Sequence, residues 1–243
     1  MNYSTRYTEL NEQFIPGKNI RLPDSIIDIR FFPYVSSVVR SDDAAWSFNS
    51  ADREIAENIS FDYPVFIPRG KEKNEHAILL MHGLNERSWN KYLTWAEYLC
   101  TTTGKPVILF PIAFHMNRSP QAWTNPRSMQ SQMNLRRKQN GDDRSISFAN
   151  AALSERMSLY PLLFYTSGRQ TFFDMEQLCI NIRQGKHPLF TAGTDINIFA
   201  YSIGAFLAQI MLMTDPEGIF WDTKLFMFCG GGIFSSMYGV SRS

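Results

Sequence analysis

An apolar run, Ile196-Asn197-Ile198-Phe199, leads into Ala200-Tyr201-Ser202-Ile203-Gly204, and a second apolar run from Ala205 to Met213 follows without a break. No other feature constrains the fold as much, because a buried strand has to turn into a buried helix within about one residue. A serine held between small residues at such a turn projects its hydroxyl away from the backbone, with helix amides beneath it. The pattern is that of a nucleophile elbow and makes Ser202 the candidate catalytic residue. A bare small-x-Ser-x-small pentapeptide carries little weight, since most serines at helix starts are N-caps. Here the weight comes from the two flanking apolar runs. Ala200 fills the first small position, where a methyl group makes a crowded turn slightly tighter than glycine would.

The rest of the chain supplies a matching frame. Ala77-Ile78-Leu79-Leu80-Met81 is a continuous apolar run closed by His82-Gly83, as expected of a strand buried on both faces of a parallel sheet. Trp89, Tyr92, Leu93, Ala96, Leu99 and Cys100 follow at helical spacing up to Gly104, and Pro106 to Phe110 gives another short apolar strand. Strand, helix, strand implies parallel pairing and a three-layer α/β sandwich with a mostly parallel sheet. Phe61, Tyr63, Val65 and Ile67 have a period of two, which predicts a strand half buried on one face. Ile26 to Phe32 reads as a strand and Trp46-Ser47-Phe48 as another short one. A helix is expected over 172–184, stopped by His187-Pro188, and Asp215 caps or ends the helix after the elbow. Leu225 to Cys229 is the last strand, closed by Gly230-Gly231-Gly232.

Residues 1–57 read as an N-terminal segment and 58–243 as the core, broken by a polar, partly helical excursion at about 111–172 that could cover the site. Trp123 and Phe148 in the excursion are candidates for an aromatic pocket lining, and equally for core. The net charge of +1, from 24 basic and 23 acidic residues, gives no single-sign field of the kind that draws nucleic acid or an anionic membrane. Arg136-Arg137-Lys138, followed closely by Asp142 and Asp143, reads as a solvated loop. Met1 to Gln13 lacks the apolar core of a secretory signal, so a cytoplasmic location is expected. Cys100, Cys179 and Cys229 lie far apart in apolar segments and are expected to be buried, reduced thiols. No spacing implies a metal or a cofactor.

With these residues in place, the chain resembles the α/β hydrolases, in particular their lipase, esterase and peptidase-like branches, over roughly residues 58–232. In that family a His-Gly pair follows the third strand, as His82-Gly83 does here, and the nucleophile follows the fifth, as Ser202 does. The resemblance implies an oxyanion hole from the backbone amides of Ile203 and of Leu84 or Asn85, with His82, Gly83 and Gly204 in support. It implies a small ester or other acyl compound as substrate. The family draws its acid and its histidine from after the nucleophile. None of His76, His82, His115 and His187 follows Ser202, and the sixth strand is the last. The expectation is therefore an N-terminal portion of a serine hydrolase that lacks the triad acid and histidine and the last strands. A non-catalytic binding module is the alternative, and a Ser202–His115 pair a third reading. His82 is read as structural, and His76 and His187 as surface or helix-end residues. The uncharged last strand would form a sheet edge, so the isolated chain is expected to self-associate.

Overall fold

The computed structural model describes residues 2–23, 25–37, 55–120, 126–141, 146, 151, 154, 157–158 and 162–230. Its strands are β1 (Ile20–Arg21), β2 (Ile27–Val35), β3 (Ser60–Pro68), β4 (Asn74–Met81), β5 (Val107–Leu109), β6 (Phe190–Tyr201) and β7 (Leu225–Phe228), joined in one seven-stranded sheet of order β1-β2-β3-β5-β4-β6-β7. β5, β4, β6 and β7 are parallel neighbours. β3 runs antiparallel to β2 and to β5, and β1 antiparallel to β2. β2 thus points the same way as the parallel four.

The helices are α1 (Tyr3–Gln13), α2 (Ala56–Ile59), α3 (Asn90–Thr103), α4 (Pro126–Gln139), α5 (Leu163–Arg183) and α6 (Ile203–Thr214), with a 3-10 turn at Met116–Arg118. They flank the sheet because alternate residues of each central strand feed two separate cores. Ala77, Leu79 and Met81 of β4 pack with Met175, Leu178, Ala208 and Met211 of α5 and α6. Ile78 and Leu80 pack with Leu10 of α1 and with Tyr92, Leu93 and Ala96 of α3 on the other face. α3 ends where Gly104 enters the left-handed region at φ 64°, a C-terminal stop that glycine meets without strain.

β3 departs from its expected half-buried state. From Tyr63 to Pro68 every residue is buried, because β3 lies inside the sheet between β2 and β5 with a core on each face. α5 begins nine residues before the expected 172. Its first turns are polar, but they satisfy themselves: Thr166 donates to Leu162 O, Thr171 to Ser167 O, and Ser167 to Ala113 O at 2.8 Å. Arg136-Arg137-Lys138 forms the last turn of α4 rather than a loop, where cations favour the helix dipole. Cys100 and Cys179 are buried, and burial pushes both thiols up to about 12, but Cys229 is exposed, since the outer strand leaves it uncovered. The expected strand at 46–48, the aromatic residues Trp123 and Phe148, the acidic pair Asp142-Asp143, and Gly231-Gly232 lie outside the described residues. Among the described residues no helix is long and apolar enough to cross a membrane.

Polar contacts bind the periphery to this frame. Arg6 of α1 is buried and donates through Nε to Glu97 of α3 at 2.7 Å. A larger node surrounds Arg118 and Asp174, whose side chains are wholly buried and paired at 2.7 Å. Arg118 also donates to Pro111 O, Asn58 O and Asn58 Oδ1, and its guanidinium lies 4.2 Å from the centre of the Phe61 ring. Asp174 accepts the Ser36 hydroxyl at 2.7 Å, and its carbonyl accepts Tyr34 Oη. One ion pair therefore connects the end of β2, α2, the segment after β5, and α5.

His187 is not the surface residue expected from sequence. It is buried among Phe32, Phe190 and Tyr63, with Nδ1 accepting the Leu189 amide and Nε2 bonded to Tyr63 Oη at 2.9 Å. Burial lowers its pKa from 6.5 to about 4. The folded state therefore favours the neutral ring: this stability is fully present above pH 6.5 and is lost as pH falls from 6.5 toward about 4. The loss is expected to reach about 3 kcal/mol. Urea unfolding as a function of pH checks it, and His187→Gln should flatten the slope. An equal slope in that variant would assign the acid sensitivity elsewhere.

Candidate active site

β4 and β6 are adjacent and parallel, so their carboxyl ends deliver His82 and Ser202 to the same edge of the sheet. This edge of an α/β sheet is where binding crevices form. Ser202 has φ 56° and ψ −118°, a conformation that a residue with a Cβ adopts only at a cost of about 1–3 kcal/mol. Its amide donates to Phe228 O at 3.1 Å, fastening the turn to β7. The hydroxyl makes no capping bond to α6. The ordinary role of a serine at a helix start is thus unfilled, and the strain falls on Ser202 itself, at the turn from β6 into α6.

Two glycines let the surrounding backbone close in. A Cβ on Gly204 would stand 2.7 Å from His82 O and 2.9 Å from Met81 Cβ, so the first turn of α6 rests directly on the end of β4. A Cβ on Gly230 would meet Ala205 Cβ at 2.3 Å and Ser202 O at 3.2 Å. The exit from β7 is pressed against the elbow from the other side.

The loop after β4 is held by groups that the sequence did not single out for this role. Tyr92 Oη accepts the Gly83 amide at 2.8 Å and donates to Glu86 Oε1 at 3.0 Å, and Glu86 is paired with Lys91. Lys91 Nζ lies 4.2 Å from the centre of the Tyr201 ring, next to Ser202. The Gly83 amide is therefore already committed. Asn85 takes the left-handed conformation at φ 58°, and Leu84 is 40% exposed. Ile203 is the first residue of α6, so its N–H is one of those a helix cannot satisfy internally.

The His82 ring is fully buried. Nδ1 donates to Gly83 O at 2.8 Å and Nε2 accepts the Ile112 amide at 2.9 Å, which fixes a neutral tautomer. Burial, reinforced by His115, keeps its pKa well below 6.5. With both nitrogens committed, the ring links the loop after β4 to the segment after β5. His115 stands beside it with ring centres 5.4 Å apart, and its Nδ1 donates to Ala113 O at 2.9 Å. In the neutral ring this puts the lone pair on Nε2. His76 is half exposed and faces Asp195, and Asp222 is paired with Arg183. Asp215 ends α6, its carboxylate accepting the Ile219 and Phe220 amides.

Leu84, His115 and Ile203 converge on one cavity of about 710 Å³ between α5 and α6. A volume of this size suits a small-molecule ligand. Sequence reasoning missed the cavity, because its walls are helix stripes that separately look like ordinary core. Residues 1–243 match the family described as DUF6051, a family of unknown function. The chain belongs to DUF6051. No curated protein matches this DUF6051 member. Among solved structures it is similar to a predicted acetyl xylan esterase from Bacteroides fragilis, at 10% identity and a TM-score of 0.41, over 86% of this chain and 47% of that one. It is also similar to a cold-adapted esterase from an Arctic intertidal metagenomic library, at 12% identity and a TM-score of 0.44, over 82% of this chain and 60% of that one. The DUF6051 chain thus spans about half to three fifths of the length of these proteins.

Proposed function

We propose that this protein is a serine-dependent acyl hydrolase of the α/β-hydrolase type, with Ser202 as nucleophile and an ester or related acyl bond as substrate. The observation that carries the reading is the strained, uncapped Ser202 between β6 and α6, beside the loop after β4. The strand order supports it. β2 to β7 run β2-β3-β5-β4-β6-β7 with β3 reversed, so that the His-Gly pair and the serine leave neighbouring strands.

In this reading the Ser202 hydroxyl attacks the acyl carbonyl. The negative oxygen of the tetrahedral intermediate accepts hydrogen bonds from the Ile203 amide and from Leu84 or Asn85, while the Gly83 amide positions the loop through Tyr92. A serine needs a base to remove its proton, and His115 is the candidate within the described residues. It shares the cavity with Ile203 and Leu84, and the Ala113 carbonyl orients its ring as a carboxylate would in a triad. His82 is unsuited, since both of its nitrogens are already bonded inside the protein.

A second reading, a binding module that keeps the scaffold without turnover, is favoured by that same carbonyl, which orients an imidazole but stabilises its charged form less than a carboxylate does. A fluorophosphonate probe separates the two. Labelling of the wild-type chain that disappears in Ser202→Ala, with the unfolding curve unchanged, is the expected result. Labelling that persists in Ser202→Ala would remove Ser202 as nucleophile, and no labelling of the wild type would favour the binding module. His115→Ala is expected to lower labelling at neutral pH with recovery at higher pH, where hydroxide can replace the base.

A further inference from the structure

The cavity begins at Ile203, the residue after Ser202, and follows two helices. Along α6 its wall is the stripe Ile203, Leu207, Ile210 and Thr214, one residue per turn from the elbow to the far end of the helix. At 1.5 Å per residue the stripe is about 16 Å long. Along α5 the facing wall runs Phe164, Gly168 and Phe172, again one residue per turn.

Gly168 is the unusual member. A glycine inside a helix costs about 1 kcal/mol relative to alanine, and a tight neighbour normally explains it, as at Gly204. At Gly168 a Cβ would meet nothing within 4 Å among the described residues. No packing among the described residues requires the absence of a side chain. Its effect is to leave a gap between Phe164 and Phe172 that a larger residue would fill.

Most of the lining side chains are apolar, and two of the hydroxyls among them are bonded within the protein. Ser167 donates to Ala113 O and Thr214 to Ile210 O, while the Arg169 guanidinium lies over the Phe173 ring. The length of the walls is thus mostly hydrocarbon, which suits an apolar ligand. Phe164 and Tyr165 are 43% and 57% exposed at the rim, an unfavourable placement in water that contact with a hydrocarbon ligand would relieve.

We infer that this groove holds the acyl chain of the substrate, with its carbonyl at Ser202 and its hydrocarbon tail laid along α6, and that Gly168 keeps the groove open. The inference rests on the serine-hydrolase reading for the placement of the carbonyl. An extended chain advances about 1.2 Å per bond, so 16 Å accommodates about thirteen bonds, the length of a medium to long fatty-acyl group. Each methylene buried should raise kcat/KM about three- to fourfold until the groove is filled.

The test uses the full chain as wild type, Gly168→Ala, Gly168→Leu, Ile210→Trp and Ser202→Ala. Two readouts are taken: binding of parinaric acid, a fluorescent fatty acid, and hydrolysis of p-nitrophenyl acetate, butyrate, octanoate and dodecanoate. Wild type and Ser202→Ala are expected to bind parinaric acid alike. Gly168→Leu and Ile210→Trp, which fill the groove from opposite walls, should each weaken binding at least tenfold and lower kcat/KM for the dodecanoate at least tenfold more than for the acetate. Gly168→Ala, which adds a single methyl, should weaken binding less than Gly168→Leu and unfold at a higher temperature. The inference is overturned if the wild type fails to bind parinaric acid, or if both filling variants fold and bind it undiminished. Binding that responds to the filling variants without any Ser202-dependent hydrolysis would keep the apolar groove but overturn its assignment to a substrate. Hydrolysis of acetate by Ser202 without parinaric binding would keep the hydrolase reading and reject the groove.

Discussion

Asp174→Ala is expected to lower the free energy of unfolding by about 3–5 kcal/mol, because it leaves the Arg118 charge at zero exposure without its counter-ion. The bonds from Arg118 to Pro111 O and to Asn58 would remain, but carbonyl dipoles do not neutralise a guanidinium. Burial pushes the Asp174 carboxyl above its ordinary range against the pull of Arg118, the sign of a pair whose charges are held by each other rather than by solvent. Replacing both partners, as in Arg118→Met/Asp174→Leu, should cost less than Asp174→Ala alone, since neither charge is then left by itself. Urea unfolding followed by tryptophan fluorescence measures both. A loss below about 1 kcal/mol for Asp174→Ala would mean that the node is not a clamp on this part of the fold.

Gly204→Ala should act at the site as well as on stability. The added methyl would stand 2.7 Å from His82 O and 3.0 Å from the Met81 carbonyl carbon, both backbone atoms of the central strand's end that cannot rotate aside. α6 must therefore shift, or the loop after β4 must. The expected cost is about 1–3 kcal/mol. On the proposed hydrolase function, a displacement of about 1 Å between Ser202 and the amides of the facing loop would also reduce turnover about 10²-fold. Gly168→Ala is the internal comparison, a glycine-to-alanine change in the opposite helix that meets no described residue within 4 Å. If Gly204→Ala were as stable and as readily labelled as wild type, the close contact between elbow and strand would not be what sets the site.

The sheet was largely legible because its signal is local. Ala77 to Met81 and Ile196 to Phe199 are apolar at every or nearly every position, as residues feeding two cores have to be. The elbow was legible for the same reason: strand, turn and helix are contiguous in sequence, and small residues mark the places of close approach. The first half of α5 was not legible. Its Thr166, Ser167 and Thr171 are buried polar residues whose partners are backbone carbonyls, and no periodicity of apolar residues reports them. His187 was misread for a related reason. Its burial comes from Phe32 and Tyr63, more than a hundred residues away in the chain.

What the sequence determined by itself, then, is the set of buried strands, the turn at Ser202 and the helix that follows it, since each is fixed by residues adjacent in the chain. Only the tertiary structure decided that Tyr92 holds the Gly83 amide, that His82 is neutral and committed at both nitrogens, and that Arg118 finds Asp174. It alone decided that Gly168 faces open space among the described residues while Gly204 touches backbone. These are contacts between segments brought together by folding, and a residue's partners across such contacts leave no mark on its own neighbours in sequence.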